Sequence, residues 1–182
     1  QSFTAKAGQV AWLENGDGVL GRAREDSLAT LGHLPFTLPE GVYRLKESAT
    51  FITLLGWGLG SYAFNRYKAA EREPAQLILP DCADAAELIN TVTATCLSRD
   101  LINTPAQDMA PSHLQAEVEA LATTFEATVS TVVGDELLDL ECGAIHAVGR
   151  AADDPPRLMD LTWGDPNHPK ITIVGKGVTF DS

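Results

Sequence analysis

Residues 51–61, Phe-Ile-Thr-Leu-Leu-Gly-Trp-Gly-Leu-Gly-Ser, read in two ways that lead to different folds. An apolar run entering Gly56-Trp-Gly-Leu-Gly60, followed by a helical stretch, residues 76–79 and Asp81, imitates a dinucleotide-binding strand–turn–helix–strand unit with a terminal acid. Two residues oppose that reading: Ser61 stands at the third glycine position, and bulky Trp57 sits where the turn must be tight. The alternative is a helix within residues 48–72. Phe51, Leu54, Leu55, Leu59, Tyr62 and Tyr67 supply its apolar face, and its glycines let it pack closely on a neighbour. The helix is the reading adopted.

Working outward, residues 9–14 and 19–23 are short apolar runs around Asn15-Gly-Asp-Gly18, the pattern of a hairpin. Residues 42–45 form another short strand after Pro35, Pro39 and Gly41. Residues 76–79 form a brief strand. Ile89, Val92 and Cys96 then stripe a helix over about 83–101 that ends at Asn103-Thr-Pro105. Ser112-His-Leu-Gln115 reads as a capping box opening a helix with Leu114, Val118, Leu121 and Phe125 on one side. The β-branched run 128–133, a short helix capped by Asp135, a strand at 158–163 and a final strand at 171–175 complete the chain. Strands and helices alternate after about residue 76, the pattern of α/β layering. The expected fold is therefore α/β: a small amino-terminal α+β domain over 1–78, then over 79–182 a linking helix and the first part of a mixed-sheet α/β domain.

Composition narrows the function classes. With 45% apolar and 21% charged residues, the chain is an ordinary globular protein, and its 182 residues suffice for one good core or two small ones. A net charge of −12 leaves no basic stripe to displace counterions, which excludes nucleic-acid binding. No apolar run approaches the roughly 20 residues that span a bilayer. The first residues lack the charged head and apolar core of a signal peptide, and no membrane partner is expected. Cys82, Cys96 and Cys142 are odd in number and widely spaced, so they read as small hydrophobes in a reducing, cytoplasmic compartment.

The histidines, 33, 113, 146 and 168, are scattered and make no H-E-x-x-H pattern. His146 reads as a satisfied core residue and His168 as solvated. No G-x-S-x-G elbow is present. Val174-Gly-Lys-Gly177 fails as a phosphate loop, because Lys170 holds the position of its first glycine and Gly177 that of its Ser or Thr. Lys176 and Asp181 remain. A loop at the carboxyl end of a strand is where open α/β sheets gather ligands. A neutral lysine amine can ligate a metal, and a carboxylate can bridge two ions. From spacing alone, a surface lysine and a helix-capping aspartate is the plainer reading.

Three stretches change that balance. "VGKGVTFDS" at 174–182 resembles the first metal-binding motif of the leucyl aminopeptidase (M17, cytosol aminopeptidase) family. "SRDLINTPAQDMAPSHL" at 98–114 is similar to the segment that opens that family's catalytic domain, although Gln107 stands where an Asn is usual. Residues 148–177 resemble the approach to the metal loop, and 1–75 the amino-terminal domain of some bacterial members. The resemblance implies a di-metal metalloprotease (a hydrolase) that removes amino-terminal residues, often leucine, from peptide substrates. It implies two divalent ions, zinc or manganese, with Lys176 ligating one, Asp181 contacting both, and both residues binding the substrate. It also implies a homo-hexamer. The family's remaining ligands and catalytic residues are expected downstream of Ser182. The chain alone is then a truncated, inactive part of an aminopeptidase, or a non-catalytic binding or assembly module built on the same fold half.

Overall fold

A computed structural model describes residues 3–81 and 84–179. The chain divides into two compact units, Gln1–Asp100 and Leu101–Ser182. Both mix helices with small sheets, an α/β fold.

The first unit opens with strands β1 (Val10–Trp12) and β2 (Gly18–Leu20), paired antiparallel with Val10 opposite Leu20 and Trp12 opposite Gly18. Asn15 closes their turn. Its amide donates to Asp17 Oδ2 at 2.8 Å and its Oδ1 accepts the Asp17 N–H at 3.1 Å, while Gly16 takes φ +84°. Helices α1 (Leu28–Gly32) and α2 (Leu34–Thr37) follow, then β3 (Val42–Tyr43), α3 (Phe51–Gly60) and β4 (Gln76–Leu77), which runs parallel to β3. Leu31, Leu34, Leu38, Trp57 and Ala75 form the buried core.

The glycine-rich stretch is helical. Gly56, Gly58 and Gly60 all lie inside α3, which overturns the dinucleotide reading, since that reading needs them in a turn. They serve close approach: a Cβ on Gly56 would fall 2.1 Å from the Leu28 carbonyl oxygen, and one on Gly60 would fall 1.9 Å from that of Gly32. Helix α3 is shorter than the periodicity over 48–72 predicts. Ser61 ends it by turning its hydroxyl onto the Trp57 carbonyl at 2.9 Å. Beyond it the chain is held by distant partners. The Tyr62 hydroxyl donates to Asp100 at 2.7 Å, and the Arg72 guanidinium donates to the Phe36 and Leu38 carbonyls at 3.1 and 2.6 Å.

Helix α4 (Ala85–Asn103) matches the stripe of Ile89, Val92 and Cys96 and runs through the division between the units. No helix among the described residues is long and apolar enough to cross a membrane.

The second unit holds α5 (Pro111–Phe125), β5 (Thr128–Val133), α6 (Glu136–Asp139), α7 (Gly143–Gly149) and β6 (Arg157–Thr162). Strands β5 and β6 pair antiparallel over six residues, Thr128 opposite Thr162 and Val133 opposite Arg157. Leu137 and Ala122 are its most deeply buried apolar residues. The last predicted strand is absent. Residues 171–175 join no ladder among the described residues, and Ile171, Ile173 and Val174 are 86, 91 and 90% exposed. Their β-branched side chains suit a strand, but a strand exists only against a partner.

Candidate functional site

Lys176 is exposed, in a segment with neither helix nor strand, as are its neighbours. Gly175 and Gly177 sit outside the left-handed region, and a Cβ on Gly175 would meet nothing within 4 Å. A Cβ on Gly177 would lie 3.5 Å from Leu114 Cδ2, so the loop runs beside the first turn of α5. Asp181 lies outside the described residues, so Lys176 alone of the pair is placed.

The first turn of α5 is held tightly. Pro111 occupies its first position, where a missing N–H costs nothing and the fixed φ suits a helix. Ala110 is therefore the N-cap, and Ser112 is not the cap that the Ser-His-Leu-Gln pattern predicts. Ser112 instead gives its backbone N–H to Asp154 Oδ2 at 2.7 Å, from 42 residues away. The His113 Nδ1 accepts the Ala110 N–H at 3.1 Å. Arg157, its side chain only 9% exposed, donates through Nη2 to Asp154 Oδ1 at 2.5 Å and through Nη1 to Gln115 Oε1 at 2.5 Å. Burial pushes the Asp154 carboxyl up, but the Ser112 hydrogen bonds and the Arg157 charge outweigh it and hold Asp154 below the ordinary carboxylate range. A carboxylate at a helix amino terminus also suits the dipole there. Asp154 and Arg157 lie inside the 148–177 stretch, yet sequence reasoning did not single them out. Their only local signal is an acid and an arginine flanking Pro155-Pro156.

Other candidates resolve plainly. His146 is largely buried and its Nε2 shares a hydrogen bond with Asp135 Oδ1 at 3.0 Å, a satisfied position. His168 is exposed. Cys96 and Cys142 are half-buried, and burial raises the Cys96 thiol above its usual range. Among the described residues no three His, Cys, Asp or Glu side chains gather as metal donors. One exposed amine is not a divalent-cation centre. The described residues alone do not fit such an ion.

Two family models match in succession: "M17 aminopeptidase, N-terminal domain" over residues 1–80 and "Cytosol aminopeptidase family, catalytic domain" over 96–182. A probable cytosol aminopeptidase of Legionella pneumophila (strain Paris) is 38% identical over 144 residues, covering 77% of this chain and 30% of that protein. The crystal structure of the cytosol aminopeptidase of Coxiella burnetii superposes with a TM-score of 0.82 at 38% identity, over 92% of this chain and 38% of that one. The bottromycin maturation enzyme BotP, solved in complex with Mn, gives a TM-score of 0.72 at 27% identity, over 90% of this chain and 41% of that one. The chain thus spans about three-tenths of the length of the curated relatives it matches.

Proposed function

Because the chain belongs to the cytosol aminopeptidase (M17) family, we propose that it is the amino-terminal part of a metal-dependent aminopeptidase that removes amino-terminal residues such as leucine from peptides. Residues 1–78 act as the small amino-terminal domain, and 79–182 as the linking helix and the start of the catalytic domain. Lys176 and Asp181 are two donors of a di-metal site, and its other donors lie outside these 182 residues. The observation carrying this reading is the length of the match: a relative 38% identical to this chain has more than three times the matched length. A cytoplasmic homo-hexamer is the assembly proposed.

Zinc or manganese at that site would supply Lewis acidity toward a peptide carbonyl and an ionisable water. Mn in the BotP structure supports manganese as one candidate. The role of this chain is positional. Asp154 and Arg157 fix the first turn of α5, and Leu114 on that turn flanks the loop that presents Lys176. With two donors, these 182 residues alone turn over no substrate.

Charge state makes the assignment testable. A free lysine amine titrates near ~10.4, so a metal bound by Lys176 must displace a proton, and occupancy must steepen with pH. Lys176→Arg keeps a charge that it cannot lose. In the longer protein it should empty that metal position and abolish leucyl-substrate hydrolysis, while Lys176→Ala weakens the site without the repulsion. Metal content by mass spectrometry of both variants is the measurement. Two ions per subunit and near-normal turnover in Lys176→Arg would show that Lys176 is no ligand.

A further inference from the structure

The first unit contains a cavity of about 480 Å³ between the β1–β2 hairpin, α1 and the residues that follow β3. Leu13, Leu20, Leu31 and Leu45 supply apolar lining, and three cations, Arg22, Arg44 and Lys46, line it too. Two of the three are committed. Arg22 pairs with Asp26 and, at 3.8 Å, with Glu47, and Lys46 pairs with Asp17. Asp26 also accepts the Thr50 hydroxyl at 3.0 Å. These links tie the 44–50 segment to the hairpin and to the start of α1, so they hold the cavity walls in place.

Arg44 is different. It is exposed, and its guanidinium meets no acceptor or carboxylate among the described residues. A spare guanidinium in a cavity also lined by leucines, on a chain of net charge −12, is a local exception to the field around it. We propose that this cavity binds a small monocarboxylate with an apolar body, its carboxylate on Arg44 and its hydrocarbon over Leu20, Leu31 and Leu45. The guanidinium fork matches a carboxylate in two parallel hydrogen bonds. The lining carries three cations (Arg22, Arg44, Lys46) against two carboxylates (Asp17, Glu47), an excess of one positive charge that a monoanion matches and a phosphate dianion exceeds. The volume is at the small end of ligand pockets, which suits a molecule the size of one or two amino acids. The site shares no residue with the 174–182 segment, so it stands or falls independently of the metal-site reading.

The test is an amide-resolved NMR titration of the 182-residue chain with N-acetyl-L-leucine, and with N-acetyl-L-leucinamide as the uncharged match. The acid should give saturable shifts confined to residues 13–31 and 44–53. The amide should bind at least about tenfold more weakly, the scale of one lost charge-assisted hydrogen bond. Arg44→Gln should lose the same factor for the acid and nothing for the amide, whereas Arg24→Gln, an exposed cation that does not line the cavity, should change neither. Both arginines are exposed, so neither variant endangers the fold. Equal binding of acid and amide, unchanged binding in Arg44→Gln, or no saturable shift in these residues would each overturn the proposal. Displacement of the acid by equimolar inorganic phosphate would overturn the monocarboxylate class.

Discussion

Replacing Gly56 by alanine tests whether the glycines of α3 exist for helix contact. The new Cβ would lie 2.1 Å from the Leu28 carbonyl oxygen and 2.9 Å from its carbon, where ordinary contact begins near 3.4 Å. Helix α1 must therefore retreat by roughly 1.3 Å, because a backbone carbonyl, unlike a side chain, has no rotamer to escape into. That retreat loosens Leu31 from the core it shares with Trp57, both 5% exposed. Overpacking of this kind costs about 1–3 kcal/mol, and more where backbone is involved. Alanine returns about 1 kcal/mol of helix propensity. The net loss should be about 1–2 kcal/mol, which for a unit of 100 residues lowers the melting temperature by roughly 5–15 °C. Urea denaturation followed by tryptophan emission reads it directly, since Trp57 is buried while Trp12 and Trp163 are 50 and 72% exposed. Gly56→Ala/Gly60→Ala should cost less than the sum of the singles, because one retreat relieves both clashes. An unchanged or higher midpoint in Gly56→Ala would refute the close α1–α3 contact.

In the second unit, Arg157→Met should destabilise by about 3 kcal/mol, because it leaves the Asp154 carboxylate and the Gln115 carbonyl without their shared donor. A midpoint within about 0.5 kcal/mol of the parent, the scale of an ordinary surface change, would show the pair to be idle. Asp154 is held below the ordinary carboxylate range, so its contribution is present above that range and is lost as pH falls through its lowered native value. Asp154→Asn should flatten this acid limb, and exchange of the Ser112 amide should quicken at neutral pH; an identical acid limb in the variant would remove Asp154 from the account.

Features encoded within a few residues were legible. The Asn15-Gly-Asp-Gly18 turn gave the hairpin, the β-branched run 128–133 gave β5, and the Ile89, Val92, Cys96 stripe gave α4. Misreadings came where a distant partner decides. Periodicity carries a helix past residue 60, but Arg72 is drawn to carbonyls of Phe36 and Leu38, more than thirty residues back. Ser112 has the right neighbours for a capping box, yet the helix starts at Pro111, two residues earlier than a Ser112 cap requires, and Asp154 takes the Ser112 N–H. Local pattern cannot contain an acceptor 42 residues away.

The site shows the same division more sharply. Ile171, Ile173 and Val174 have strand character, and each is at least 86% exposed. An apolar, β-branched run with no ladder partner among the described residues exposes edge hydrogen-bonding groups and hydrocarbon together, a combination folded proteins ordinarily cover. The described residues give this run no such cover, so its β-branched pattern predicts a strand that the fold does not form. Lys176, exposed in the same segment, carries no sign of metal chemistry in its own geometry. An amine acts as a metal ligand only when other donors fix the ion beside it and displace its proton, so the role belongs to a constellation and not to the residue. Spacing within 171–182 could nominate Lys176 and Asp181. Only likeness to a family of longer proteins could give them a task.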